Sequence, residues 1–439
     1  MIKRLVVMLV VVVTIGAVAS PARAQTHYTG TLTSGATWVA DVPAGWNGTM
    51  ILYSHGFGPL TAQNAPDDET RSALLAEGYG LVGSSYSGRS WWALSSALDD
   101  QFGALAAIEK RVGDARRTIA WGTSMGGLIS ALQAERGAGR IDGSLTTCGL
   151  VGGALNLGNY QLDGEWALVR LLDAKARLVD YPTSAAGTAA ATALSSAITA
   201  AQRTPAGRAR VSLAAALFNT PGWFTGATPP APTDYSGQQA QQAAELSQFV
   251  LGFIVPGRYQ IELAAGGNSS YNAGVNYAAL LHGNPREQQV RTLYRHAGLD
   301  LSADLATLTR DATVMADPHA VATLRRTSVP TGHLRVPELS IHTTADQLIP
   351  VEHENWYART VAHADKTRLL RQGYVRATGH CAFRPAETIG ALHVLEKRIQ
   401  TGRWAPTTAA ALNRAARATT LGEGRYVSFR PAPLTGARR

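Results

Sequence analysis

The sequence predicts an α/β fold: a mostly parallel central sheet flanked by helices and interrupted by a large helical insertion. Three observations carry that expectation. From about residue 28 to 156, short β-like runs alternate with amphipathic segments, the pattern of a parallel sheet covered on both faces. Over 157–330 the texture becomes rich in Ala, Gln and Leu, with runs such as 185–201 and 238–251 broken by Pro229, Pro230 and Pro232. From Val336 the β/α rhythm resumes.

The elements follow in order. Residues 49–54 form a strand candidate that ends at His55-Gly56, and 68–78 form a helix that stops at a glycine. A strand over 80–85 and a helix over 97–111 come next, then a strand over 117–121 and a helix over 125–135. After the insertion, strands are expected over 338–342 and 369–375, and a helix over 387–401 closes the core. The expected division is thus a core of 25–156 and 331–403, a helical cap of 157–330, and a basic C-terminal tail of 404–439. With 439 residues, 45% of them hydrophobic and 16% charged, the chain can bury a large core and does not have a disordered composition.

Residues 1–24 have the layout of a secretory signal peptide. Lys3 and Arg4 precede an apolar run from Leu5 to Ala19, and small residues surround Arg23. The run is shorter than the roughly 20 residues a spanning helix needs, so export followed by cleavage is expected, with no integral membrane segment left behind. The formal charge of +9 includes Lys3, Arg4 and Arg23; less those three it is +6. Much of the excess lies in the tail, at Arg414, Arg417, Arg425, Arg430, Arg438 and Arg439 against Glu423. Neither a nucleic-acid motif nor aromatic-basic interleaving accompanies it, so a solvated or loosely docked tail and no nucleic-acid partner are expected.

The chemistry concentrates in Gly122-Thr123-Ser124-Met125-Gly126-Gly127, where a predicted strand meets a predicted helix. A sharp strand-to-helix turn strains the serine backbone, and glycines two residues either side remove the clashing side chains. Ser124 is therefore the candidate nucleophile, at the positive end of the following helix. With this motif the acid and then the histidine follow in chain order. Asp346 stands in a loop after the 338–342 strand, and His380 in Ala377-Thr378-Gly379-His380-Cys381 after the last strand. The imidazole would take the serine proton and return it to the leaving group, oriented by the carboxylate. Asp163 is the alternative acid, and His342 is expected to pack. Backbone N–H groups of Met125 and of Phe57, in the His55-Gly56-Phe57-Gly58 loop, are the candidate oxyanion donors. Glu352-His353-Glu354 matches no zinc spacing, so neither metal nor cofactor is expected.

Cys148 and Cys381 are the two cysteines. In an exported chain an even count favours pairing, and in this topology both loops emerge at one sheet edge; two buried thiols are the alternative.

At these residues the chain resembles the secreted bacterial α/β-hydrolases with a helical cap. The similarity rests on Asn47-Gly48-Thr49 leading into Ser54-His55-Gly56, on residues 122–127, on Asp346 with Pro350, and on Gly379-His380-Cys381-Ala382-Phe383. It implies an α/β-hydrolase fold and ester hydrolysis through an acyl-enzyme, with Ser124, Asp346 and His380 matching the triad. Tannase and feruloyl-esterase relatives place a disulfide near the triad, which Cys381 fits, although this chain has no cysteine beside Ser124. The expected substrate is a small or polymeric ester met outside the cytoplasm, with Trp91, Trp92, Trp166, Trp223 and Phe224 as aromatic candidates for the site. A secreted serine peptidase, anchoring a peptide terminus on Asp163 and Glu165, is the second reading, and a non-catalytic binding protein on this scaffold the third.

Overall fold

A computed structural model describes residues 25–137 and 139–438; the signal peptide expected over 1–24 lies outside them. Nine strands form one sheet: β1 (Gln25–Thr31), β2 (Thr37–Pro43), β3 (Thr49–Ser54), β4 (Gly80–Ser84), β5 (Arg117–Thr123), β6 (Gly143–Thr147), β7 (Glu338–Ala345), β8 (Leu370–Thr378) and β9 (Tyr426–Val427). Their order is β1-β2-β4-β3-β5-β6-β7-β8-β9. β3 to β8 run parallel, while β1, β2 and β9 are added antiparallel at the two edges.

Helices α1 (Asp68–Ala76), α2 (Ala97–Val112) and α3 (Met125–Arg136) connect the first parallel strands. Between β6 and β7 come α4 (Gly153–Leu172), α5 (Ser184–Ala201), α6 (Pro205–Leu217), α7 (Tyr235–Glu245), α8 (Leu251–Ala265), α9 (Tyr277–Leu281), α10 (Glu287–His296), α11 (Leu301–Asp311) and α12 (Pro318–Ser328). A π-helical turn, Leu246–Val250, joins α7 to α8. α13 (Glu352–His363) follows β7, and α14 (Pro385–Thr401) and α15 (Ala409–Ala418) follow β8.

The central strands are apolar at successive positions because both faces are covered. Ile51, Tyr53, Ile119, Trp121 and Leu339 pack on one side with Leu74 of α1 and Ile389, Leu392 and Leu395 of α14. Met50, Leu52, Val82 and Ala120 pack on the other with Phe102, Leu105 and Ile108 of α2. In the insertion, α5 approaches α8 closely at Gly187, where an added Cβ would lie 2.7 Å from Pro256 Cα.

The C-terminal segment is docked more firmly than the solvated or loosely docked tail expected of it. α15 lies so close to α14 that a Cβ on Gly390 would meet the Ala416 amide nitrogen at 2.7 Å, and β9 completes the sheet edge beside β8. Farther on, Thr435 N donates to Asn219 Oδ1 at 2.9 Å, and Arg438 N donates to Asn156 Oδ1 at 2.9 Å. Two of the arginines counted as solvated charge meet buried carboxylates instead: Arg425 bonds Glu387, and Arg438 bonds both oxygens of Asp163.

Candidate active site

β5 delivers Ser124 into a backbone conformation, φ 61° and ψ −121°, that costs a non-glycine residue about 1–3 kcal/mol. The flanking glycines make that turn possible. A Cβ on Gly122 would stand 1.8 Å from the Gly126 carbonyl oxygen, and one on Gly126 would stand 1.8 Å from the Ser54 carbonyl oxygen. Gly127 approaches the Gly149 Cα at 2.6 Å by the same measure, which lets α3 start tight against the β6 loop. β3 ends beside the turn, where a Cβ on Gly56 would lie 3.3 Å from Ser124 Cβ and 3.6 Å from its Oγ. This strand order with a serine on the sharp turn after β5 is decisive for the architecture. The chain has the α/β-hydrolase fold.

Asp346 directly follows β7, and His380 stands two residues after β8, so the sheet carries all three side chains to the carboxyl ends of its parallel strands. Ser124 Oγ lies 2.8 Å from His380 Nε2, and His380 Nδ1 lies 2.8 and 2.9 Å from the two oxygens of Asp346. The carboxylate is held in turn by the amides of Leu348 (3.0 Å), Ile349 (2.9 Å) and Cys381 (3.3 Å). Burial alone would raise the Asp346 carboxyl. The charge and hydrogen bond of His380, together with nearby His342 and the Ile349 amide, outweigh it and hold the group below the usual carboxylate range.

His342, expected only to pack, does more. Its Nε2 lies 2.8 Å from the Ile349 carbonyl oxygen and 3.7 Å from Asp346 Oδ2, and its Nδ1 lies 3.2 Å from Glu354 Oε1. Burial lowers its affinity for a proton, but Glu354 and Asp346 outweigh that and raise it above the ordinary histidine value. His353, on α13, is the opposite case. Burial pushes it down to about 3, so it is neutral and accepts from the Gly152 amide through Nδ1.

Cys148 and Cys381 form a disulfide with a Cα–Cα distance of 5.3 Å. It ties the loop after β6 to the residue next to His380. Their sulfurs and a His380 ring nitrogen lie within 4.8 Å of one another, but both sulfurs are bonded in the disulfide and neither is a thiolate that could bind a metal.

A pocket opens on Ser124 and His380. Its wall is built by Phe57 and Trp92 from the core, Leu157 and Gln161 from α4, Phe253, Ile254, Gly257 and Ile261 from α8, and Leu348 and Ile349 from the acid loop. Of the aromatic candidates, Trp92 lines it, and Trp91 packs edge-on to Phe57 at the exposed rim with centroids 5.8 Å apart. Trp166 instead gives its N–H to Leu308 in the insertion, and Trp223 and Phe224 offer backbone carbonyls to Thr378. The α8 residues went unrecognised in the sequence, because a helix facing a pocket and one facing a core carry the same apolar periodicity.

Asp163, the alternative acid, lies on α4 and is occupied by Arg438 and the Tyr277 hydroxyl. Glu165 is fully buried in a bidentate pair with Arg258.

No family model matches the chain. It is 29% identical over 437 residues to an o-phthalyl amidase from Xanthobacter agilis, covering 92% of this chain and 94% of that one. This likeness supports a hydrolase. Among solved structures, the feruloyl esterase B of Aspergillus oryzae aligns at a TM-score of 0.41 and 14% identity, over 86% of this chain and 80% of that one. An acylaminoacyl peptidase aligns at 0.40 and 10% identity over 90% of this chain; the match spans 44% of that longer chain.

Proposed function

We infer that the chain is an exported serine hydrolase that cleaves carboxylic esters through an acyl-enzyme. The observation that supports this most is the unbroken hydrogen-bonded line from Ser124 through His380 to Asp346. In this reading His380 Nε2 takes the hydroxyl proton as Ser124 Oγ attacks the carbonyl carbon. The carbonyl oxygen, now anionic, is received by the Phe57 and Met125 amides, each worth about 3–4 kcal/mol of transition-state stabilisation. The imidazolium returns its proton to the leaving alcohol, and water repeats the sequence to release the acid. Asp346 keeps the imidazole in one tautomer and stabilises its charged form. Export is supported by the signal-like segment at 1–24 together with the disulfide.

A second reading, hydrolysis of an amide by the same steps, is favoured by the 29% identity to an o-phthalyl amidase. The peptidase reading loses its anchor, since Asp163 and Glu165 are already committed to arginines. The test is a screen of matched aryl esters and anilides with wild type and Ser124→Ala. Ester turnover that is absent from the variant is the expected result; turnover of anilides alone supports the amide reading, and equal rates in both proteins refute the assignment.

A further inference from the structure

The pocket beside Ser124 has a composition that restricts what it accepts. Its described lining contains neither lysine nor arginine. On α8, which supplies Phe253, Ile254, Gly257 and Ile261 to the lining, the Arg258 guanidinium is 4% exposed and committed to Glu165 and Ser270. Among the polar lining groups, Ser124 and His380 bond each other, and the Trp92 indole N–H is given to Ser328 Oγ at 3.1 Å. That leaves Gln161, 5% exposed on α4, as the pocket's remaining polar side chain. Its amide offers two donors and one acceptor and no charge.

Resting on the serine-hydrolase reading, we propose that this pocket receives an uncharged apolar acyl group carrying one neutral hydrogen-bonding substituent, and that Gln161 is the residue that reads that substituent. The physical basis is asymmetric. An aromatic or branched acyl group gains apolar contact with Phe57, Trp92, Leu157, Phe253 and Ile254, and a neutral polar substituent can exchange hydrogen bonds with the Gln161 amide. An anionic substituent gives up its hydration and finds no compensating cation, which is far more costly than burying a neutral group. Phe57 packs edge-on to Phe253 at 5.8 Å, and a Cβ on Gly257 would lie 3.6 Å from the Phe57 ring. An acyl group bearing a free carboxylate is therefore disfavoured.

The test uses phenylboronic acid and its 3-carbamoyl and 3-carboxy derivatives, which add reversibly to a reactive serine, as competitors of fluorophosphonate labelling at Ser124 in the full chain. The carbamoyl compound should protect at a concentration about tenfold or more below the carboxy compound, the factor expected for one buried hydrogen bond against an unpaired charge. Gln161→Leu should collapse the advantage of the carbamoyl over the unsubstituted compound. Should that variant not fold, Gln161→Glu, of the same shape, should weaken the carboxy compound further. Equal protection by all three, protection strongest with the carboxy compound, or no protection by any overturns the proposal. Failure of fluorophosphonate to label Ser124 at all would instead remove the serine-hydrolase reading beneath it.

Discussion

At the scale of single residues, the acid of the hydrogen-bonded line is the most heavily supported group. Asp346 is fully buried and engages three backbone amides besides the imidazole of His380, with His342 beneath it. His342→Gln keeps a donor toward the Ile349 carbonyl but removes the ring that joins Asp346 to Glu354. The variant should lose about tenfold in kcat with little change in KM, an energy near 1.4 kcal/mol, measured by steady-state kinetics on an ester substrate. Unchanged kcat would show that His342 does not bear on the acid loop. Ser124, Asp346 and His380 were legible because their residue types stood in loops after predicted strands. His342 was not, because a histidine inside a strand reads the same whether it packs against apolar neighbours or pairs with two carboxylates brought from 346 and 354 by the chain's return. Gln161 was hidden for a related reason: its meaning comes from the apolar company it keeps across α8.

At the scale of elements, β7 carries a buried acid of its own. Glu338 accepts from Thr146 Oγ1 at 2.8 Å and Tyr357 OH at 2.6 Å, and burial pushes its carboxyl up to about 8 from 4.5. The folded state therefore holds a proton between about pH 4.5 and 8 that the unfolded chain has released, so this group's contribution to stability falls as pH rises through that window. Thermal melts should show a midpoint lower at pH 8 than at pH 5.5, and Glu338→Gln should flatten the difference; an undiminished slope in the variant would contradict the assignment. The disulfide works between elements. It joins the β6 and β8 loops across a separation of 233 residues. Replacing both cysteines by alanine should cost about 2–5 kcal/mol of stability by denaturant melt, together with a loss of kcat as the His380 loop loosens. Full activity in the double variant would limit the bridge to stability. Of the parallel strands, β3, β4, β5, β7 and β8 were readable as short β-like runs alternating with helical segments, whereas β6, Gly-Ser-Leu-Thr-Thr, has little apolar character. β1, β2 and β9 were not readable, since short edge strands with polar residues carry little periodicity.

At the scale of the whole molecule, the last residues tie the helical insertion to the rest of the chain. Arg438 reaches Asp163 of α4, and Asn219 and Asn284 both bond Thr435. The sequence suggested a solvated basic tail because charge is visible in sequence whereas the buried carboxylates awaiting it, Asp163 and Glu387, are more than 200 and about 40 residues away in the chain. Arg438→Ala would leave Asp163 buried without its cation, a change that typically costs about 3–5 kcal/mol. Burial pushes Asp163 up to about 6 even with Arg438 beside it, so below that pH the wild-type pair has lost its charge and removing Arg438 costs less. The loss of melting temperature in this variant should accordingly be larger at pH 8 than at pH 5; equal losses at both would show that the pair is not what holds the segment.

The whole account rests on Ser124 being made nucleophilic by His380. The most direct measurement is the rate and position of fluorophosphonate modification, read by intact-protein mass and peptide mapping. A single adduct on Ser124 is expected, absent from Ser124→Ala and at least about 10³-fold slower to form in His380→Ala. An adduct at another residue, or equal rates with and without the imidazole, would contradict it.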